Sequence, residues 1–398
     1  MPWNEVKPMD EKVKFIAEYL RADLTFKALC LLYGVSRKTG YKWVQRYHAL
    51  GINGLQWQSR RPHHSAVTPY VVRQAVLEYR NYKGDILGAK KIHPLLATRF
   101  DESLLPSKTT INNILKIAGC VKTRRRVPRT PRSIQPLKAA TSANQLWSVD
   151  YKGQFKLANG QWCYPLTIMD NASRYLLGCQ GFSSTSVADA KAVFERLFRQ
   201  YGLPERIRSD NGAPFASTGV GGLSKLSIWW IRLGIIPERI TPGKPQQNGQ
   251  HERMHRTLKL RIGSLGVEDL PRQQVILDEF QRHYNDDRLH EGLGQKVPKS
   301  VYQASTRSYP ETLPELVYPC YFERGRVCQN GLIYWHSLRI YIGYVLRDEW
   351  VGLEQVGEAM WDVYFGPIRL GSFDERQVTG AKNDYLTLTR KVSPMSVD

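Results

Sequence analysis

Between residues 145 and 310, strand-like and helix-like stretches follow one another in an order that few folds accommodate. Three short runs rich in β-branched and aromatic residues come first: Leu146 to Tyr151, Tyr164 to Met169 and Tyr175 to Gln180. A helical stretch from Val187 to Tyr201 follows, then a strand from Arg206 to Asp210, a helix near Leu223 to Leu233, a strand from Ile235 to Ile240 and a helix opening after Gly249. Hairpin-linked strands followed by alternating strands and helices predict a mixed-sheet α/β domain.

Three acids stand at distinctive points of that pattern. Asp150 lies in the first strand, and Asp210 ends a later one just before the turn signal Asn211-Gly212. Glu252 opens a helix over Gln250 to Ser264. At 100° per residue, Met254, Leu258, Ile262 and Leu265 share one side of it, while Glu252, Arg256 and Lys259 lie nearly opposite. Converging carboxylates suit hard divalent cations such as Mg²⁺, which take oxygen ligands. Two such ions clamp the attacking and leaving oxygens of an in-line displacement at phosphorus. Arg256 and Lys259 would then hold the polyanion. Competing acids have structural explanations: Asp170 as a turn residue, Asp189 early on a helix, and Asp286-Asp287 near a helix end.

Trp147-Ser148-Val149-Asp150, the run Ser209 to Phe215, and Asn248-Gly249-Gln250-His251-Glu252 resemble the three acidic motifs of the DDE insertion-sequence transposases, which share the retroviral-integrase catalytic core. The run Tyr284 to Leu293, followed by Pro298 and Tyr302, is similar to the segment after that core. Four ordered motifs are more specific than any one alone. The resemblance implies an RNase H-like core in which Asp150 and Asp210 share one Mg²⁺ and Glu252 completes a second site, with Mn²⁺ able to substitute. It also implies a homo-oligomer that synapses both element ends and completes the active site in that assembly. Between Asp210 and Glu252 lie 41 residues, including Gly219-Val220-Gly221-Gly222, longer than in the commonest members. This reads as a surface-loop insertion that leaves the acid in place. Tyr284, Asn285 and His290 read as structural residues docking the last core helix, with His290 not a general base.

Charge points the same way. The chain has 57 Lys and Arg against 36 Asp and Glu, a net +21 with pI near 9.7. Spread along 398 residues, this favours a long nucleic acid over a small acidic metabolite. The six cysteines show no paired short spacing; Cys320 and Cys328 with His336 are a weak metal suggestion, better read as reduced thiols. With neither signal peptide nor apolar span, the expected location is the cytoplasm, on chromosomal DNA and away from membrane.

Ahead of the core, residues 1–57 read as a helix-turn-helix domain: Asp10, Thr25 and Ser36 cap three helices, and Gly34 ends the second. Its third helix would offer Arg37, Lys38, Lys42 and Arg46 to DNA, and Val35-Ser36 looks like the turn of transposase domains of this kind. Residues 67–121 read as a second such unit, with Pro94 inside its middle helix and Lys108, Asn112 and Lys116 exposed on its last. His63 and His64 between the two read as linker or phosphate-facing residues. A basic linker, 122–144, includes Arg124, Arg125 and Arg126, seven cations and no acid between Lys122 and Lys138, and three prolines. Residues 311–385 carry short strand-like runs and an Asn330-Gly331 hairpin signal. They suggest a small β-barrel similar to the SH3-like end domain of relatives.

The sequence thus reads as a multidomain α/β DNA transposase: helix-turn-helix domains bind the terminal repeats in double-stranded DNA, and the core cuts the element ends and joins them to target DNA. The alternative is a helix-turn-helix regulator with an inactive integrase-like core.

Overall fold

In a computed structural model the protein is described over residues 8–57, 67–121, 137, 139–217, 219–262, 267–377 and 385–389. Arg124, Arg125 and Arg126, His63, His64 and Leu265 lie outside the described residues. The chain divides into two compact units, residues 1–68 and 69–398. Among the described residues no helix is long and apolar enough to cross a membrane.

The first unit holds α1 (Pro8–Arg21), α2 (Phe26–Leu32) and α3 (Arg37–Leu50). The Thr25 and Ser36 side chains accept backbone N–H bonds from Ala28 and Thr39, satisfying donors that a helix start leaves open. Phe15, Ile16, Leu29, Cys30, Val44 and Leu55 form the core. Crossing of α2 and α3 depends on Gly40, where a Cβ would stand 2.8 Å from the Cys30 sulfur. Arg37, Lys38 and Lys42 are exposed on α3, and Arg46 is half-buried.

In the second unit, α4 (Tyr70–Glu78), α5 (Ala89–Ala97) and α6 (Lys108–Ile117) enclose Ala75, Val76, Ile92, Leu96, Ile111 and Leu115. Ser107 caps α6, and Pro94 falls inside α5. Lys108 and Lys116 are exposed; Asn112 is half-buried.

The core follows as β1 (Leu146–Tyr151), β2 (Phe155–Lys156), β3 (Trp162–Asp170), β4 (Leu176–Phe182), α7 (Val187–Tyr201), β5 (Arg206–Ser209), α8 (Lys225–Arg232), β6 (Ile236–Arg239), α9 (Gly249–Ile262) and α10 (Leu270–Asp286). Along the sheet β3, β1, β5 and β6 are neighbours in that order, and both β2 and β4 pair with β3. Pairing is antiparallel among β1, β3 and β4 and parallel from β1 through β5 to β6. Strand alternation divides the side chains between two layers. Trp147, Val149, Leu166 and Ile168 meet Phe194, Phe198, Trp229 and Trp230 of α7 and α8. Met169 and Cys179 meet Met254 and Leu258 of α9 and Leu277 and Phe280 of α10 on the other face. Asn285 ties α10 to β4, accepting from Leu176 N–H at 2.8 Å and donating to its carbonyl at 2.9 Å.

The carboxyl-terminal strands are β7 (Glu323–Arg326), β8 (Leu332–Trp335), β9 (Leu338–Tyr341), β10 (Trp350–Gln355), β11 (Met360–Phe365), β12 (Ile368–Asp374) and β13 (Leu386–Thr387). Antiparallel β12-β11-β10-β7 and a three-stranded sheet, β13-β9-β8, share one hydrophobic core, a small all-β module of the expected kind; among the described residues the pairing does not close into a ring. That core also takes in Val220, Leu223, Ile228 and Ile231. The glycine-rich segment read as a surface insertion is therefore packed: a Cβ on Gly221 would lie 3.0 Å from Leu370, and Arg239 on β6 donates to the Gly221 carbonyl at 2.9 Å.

Trp230 is fully buried, its ring 5.0 Å from Phe194 and 6.4 Å from Phe215. Urea unfolding of Trp230→Ala should show a loss of about 3–5 kcal/mol. Trp230→Phe should cost less, because the indole N–H has no hydrogen-bond partner to lose.

Candidate active site

β1 and β5 run parallel with Ser148 opposite Arg208, so two residues further along each strand Asp150 and Asp210 come level at neighbouring strand ends. Asp210 is also held locally: its Oδ1 accepts from Gly212 N–H at 3.2 Å, and Asn211 donates to the Ile240 carbonyl at 2.8 Å. Glu252 is exposed in the first turn of α9. Burial first, then the Asp210 carboxylate and more weakly Glu252, push Asp150 up to about 7. Asp150 thus feels both of the other acids. Among the described residues, no three His, Cys, Asp or Glu side chains are drawn into a cluster ready to hold an ion. The donors are oxygen-only, and among the described residues none of the three is ion-paired to a Lys or Arg, which is chemistry that fits Mg²⁺ or Mn²⁺.

What places α9 against the sheet is a buried histidine that the sequence reading passed over. His251 is fully buried, its Nδ1 2.7 Å from the Ser148 hydroxyl on β1 and its Nε2 2.7 Å from the Thr167 hydroxyl on β3. One turn on, His255 Nε2 is also 2.7 Å from Thr167, which donates to the Asp150 carbonyl at 2.9 Å. His255 Nδ1 lies 3.7 Å from Asp150 Oδ2. Burial, with His255 adding to it, holds His251 well below the usual imidazole range; burial, then Lys152, holds His255 at about 3. Both rings are neutral, so neither balances Asp150. Two histidines four apart on the apolar side of a polar helix were the available signal.

A second anchor comes from β5. Arg208 and Glu238 form a buried ion pair at 2.5 Å, Arg206 reaches the same carboxylate at 2.9 Å, and Arg208 donates to the Gln247 carbonyl at 2.9 Å. That carbonyl belongs to the 3-10 turn Pro245–Asn248 immediately before α9. Arg256 and Lys259 are exposed on α9 beside Glu252. Lys152, next to Asp150 and also unremarked in the sequence, feels Lys259: burial first, then that ammonium, lower its proton affinity. Asp170 is structural, as expected, accepting from Asn144 N–H at 2.8 Å and Ser173 N–H at 2.8 Å.

A mixed sheet with two acids at neighbouring parallel strand ends, and a third on the helix across it, defines an integrase-type α/β core. Comparison with known families agrees on the domains: residues 140–245 and 233–298 match the integrase core domain, and residues 11–63 match a helix-turn-helix domain. An uncharacterized 39.2 kDa protein of insertion element IS476 from Xanthomonas euvesicatoria is 27% identical over 229 residues, 56% of this chain and 61% of that protein. An uncharacterized 31.7 kDa protein of insertion element IS407 from Burkholderia multivorans is 22% identical over 304 residues, 75% of this chain and 98% of the relative. Among solved structures, a simian T-cell lymphotropic virus intasome in complex with PP2A regulatory subunit B56 gamma aligns with 71% of this chain and 98% of its own at 15% identity, TM-score 0.36. The chain carries an integrase core behind an amino-terminal helix-turn-helix domain and is homologous to insertion-element proteins.

Two measurements probe this arrangement. An aspartate whose folded value lies above its unfolded one, near 4, holds an extra proton in the folded state, so stability falls as pH rises from about 4 to about 7 and is level above that. In EDTA, Asp150→Asn should therefore exceed the parent in stability at pH 8 by on the order of 2 kcal/mol, with the advantage fading towards pH 4; a pH-independent difference refutes this origin. His251→Ala, which removes two buried hydrogen bonds and leaves a cavity under α9, should lose about 3 kcal/mol in chemical denaturation.

Proposed function

We propose that this protein is a DNA transposase that binds the terminal repeats of its insertion sequence and carries out metal-dependent strand cleavage and strand transfer. The observation that carries the reading is the placement of Asp150 and Asp210 at neighbouring parallel strand ends of an integrase core, with Glu252 near enough on α9 to be felt by Asp150. Asp150 and Asp210 would hold one divalent ion and Glu252 would complete the site for a second, Mg²⁺ by preference. When bound, the ions neutralise charge on the reacting phosphate. His251 and His255 fix the Asp150 backbone and the Glu252 helix, and being neutral they leave the carboxylates free for cations. Arg256 and Lys259 hold the DNA end by its phosphates.

Chemically the core hydrolyses the phosphodiester at the element end, freeing a 3′-hydroxyl, which then attacks a target phosphodiester in a transesterification. The chain needs no covalent nucleophile of its own. Residues 1–57 and 67–121 serve as DNA-reading domains through Arg37, Lys38, Lys42 and Arg46 and through Lys108, Asn112 and Lys116. The segment 122–144 links them, with Arg124 to Arg126 along phosphates, to a core of 145–310 and a β-module of 311–385. Two or more copies bring both ends together with target DNA.

The test is the purified chain with Mg²⁺ on a labelled duplex of the flanking element end and a plasmid target. Asp150→Asn, Asp210→Asn and Glu252→Gln should each lower end-specific nicking and joining about 10³-fold or more while the duplex stays bound. Lys38→Gln with Lys42→Gln should weaken end binding instead. A multimeric preparation that binds the end and never cuts it would point to a regulator with an inactive core.

A further inference from the structure

Beside its acidic face, α9 presents a second polar flank. Gly249, Arg253 and Thr257, spaced by four, lie about a quarter-turn round the helix from Glu252, Arg256 and Lys259. They line a cavity of about 590 Å³ whose other walls include Arg174 in the β3–β4 turn, Lys91 on α5 and the 288–292 segment after α10.

The walls carry more positive charge than the fold balances. Arg253 is exposed, Arg174 is half-buried, and neither has a carboxylate at ion-pair distance among the described residues. The Arg174 guanidinium lies beside Gly292, 3.7 Å from where a Cβ would stand. Burial first, with Arg253 adding to it, lowers Arg174; burial, then Arg288, brings the Lys91 ammonium down to about 8. The acids nearby are engaged: Glu291 pairs with Lys90, Asp85 with Arg288, and Glu238 with Arg208. Arg174, Arg253 and Lys91 have no ion-paired acid of their own among the described residues, and the lining carboxylate, Glu291, is already taken by Lys90, so three cations, two of them half-buried, cost stability unless an anion joins them.

Two further groups line the same space. Asn248 is 6% exposed with its Oδ1 unpartnered, and His290 Nε2 is likewise buried and unpartnered. Both are acceptors, suited to an N–H or O–H donor of the nucleotide's base or sugar and not to its phosphate. The amino-terminal turn of α9, with Gly249 and Gln250 in the wall, adds the positive end of a 14-residue helix. The volume lies within the roughly 300–1,000 Å³ of ligand-sized sites, so there is room for a sugar and base with the phosphate.

We infer that this cavity is a phosphate site for nucleic acid: it takes a backbone phosphodiester, with its nucleotide, of the DNA strand that crosses α9 from the Glu252 face, held by Arg174, Arg253 and Lys91. This rests on the reading of the core as a DNA-processing one. DNA is favoured over a free nucleotide because Arg256 and Lys259 extend the cationic track along the same helix, which suits a polymer.

The experiment is fluorescence anisotropy of the full chain with a random-sequence duplex and with the flanking-end duplex over a range of chloride concentrations. Arg253→Gln and the double variant Arg174→Gln/Arg253→Gln are compared with the parent, with thermal melts as a folding check; exposed Arg253 keeps the test informative if the double variant melts early. Both duplexes should bind more weakly by a similar factor, about five-fold per guanidinium, with a log–log salt slope shallower by about one per contact. Unchanged affinity and slope overturn the site, as does a loss confined to the end duplex. Inorganic phosphate competing beyond chloride at equal ionic strength, and only in the parent, would assign the cavity to a small anion and overturn it as well. Strand cutting is scored separately: a slope change without any cutting keeps the site and removes the transposase reading, and cutting with an unchanged slope does the reverse.

Discussion

The core depends on how a mostly polar helix is fixed to a sheet. α9 buries only His251, Met254, His255 and Leu258, too little apolar surface to set its rotation tightly. The imidazole of His251 supplies direction: spanning the hydroxyls of Ser148 and Thr167 on two adjacent strands, it fixes the helix in rotation and height together. Arg208 does the same for the turn that feeds the helix, through the Gln247 carbonyl. Glu252 sits one residue after His251, so the third acid inherits its place from a buried hydrogen bond.

Charge is sorted around that helix by the same means. Burial keeps His251 and His255 neutral, so the acidic edge has no imidazolium to quench it. Arg256 and Lys259 lie along the exposed side, and Arg253 faces the cavity a quarter-turn away. Asp150 and Asp210 stand at the sheet edge, while Glu252, Arg256 and Lys259 share the exposed side of α9. The histidines are what allow polar contacts beneath α9 without adding a positive charge there.

Much of this was legible in the residues. Runs of β-branched and aromatic residues located β1, β3, β4, β5 and β6, and the 3.6 period located α7 and α9, near their observed bounds: the central strands are buried on both faces, and each of the two helices has one face in a core and one outside it. Thr25, Ser36 and Ser107 signalled helix starts through local side-chain chemistry that needs no tertiary partner. The segment around Gly219 to Gly222 was read as a surface insertion because it adds length that surface loops tolerate, yet Val220 and Leu223 are buried against the carboxyl-terminal strands. That contact joins residues more than a hundred positions apart, and no local pattern encodes it. His251 was missed because a histidine on an apolar helix face, even with His255 one turn on, looks like filler until its hydroxyl partners are known.

The sequence by itself determined the order of strands and helices, the types of the three acids and the strongly basic balance, since periodicity, turn chemistry and charge are properties of short stretches. Tertiary structure decided the rest: which strand ends are neighbours, the raised proton affinity of Asp150, the neutral histidine bridge and the unbalanced cations around the cavity. These depend on desolvation and on distances between residues far apart in the chain, and both come into being only when the sheet and its helices close on one another.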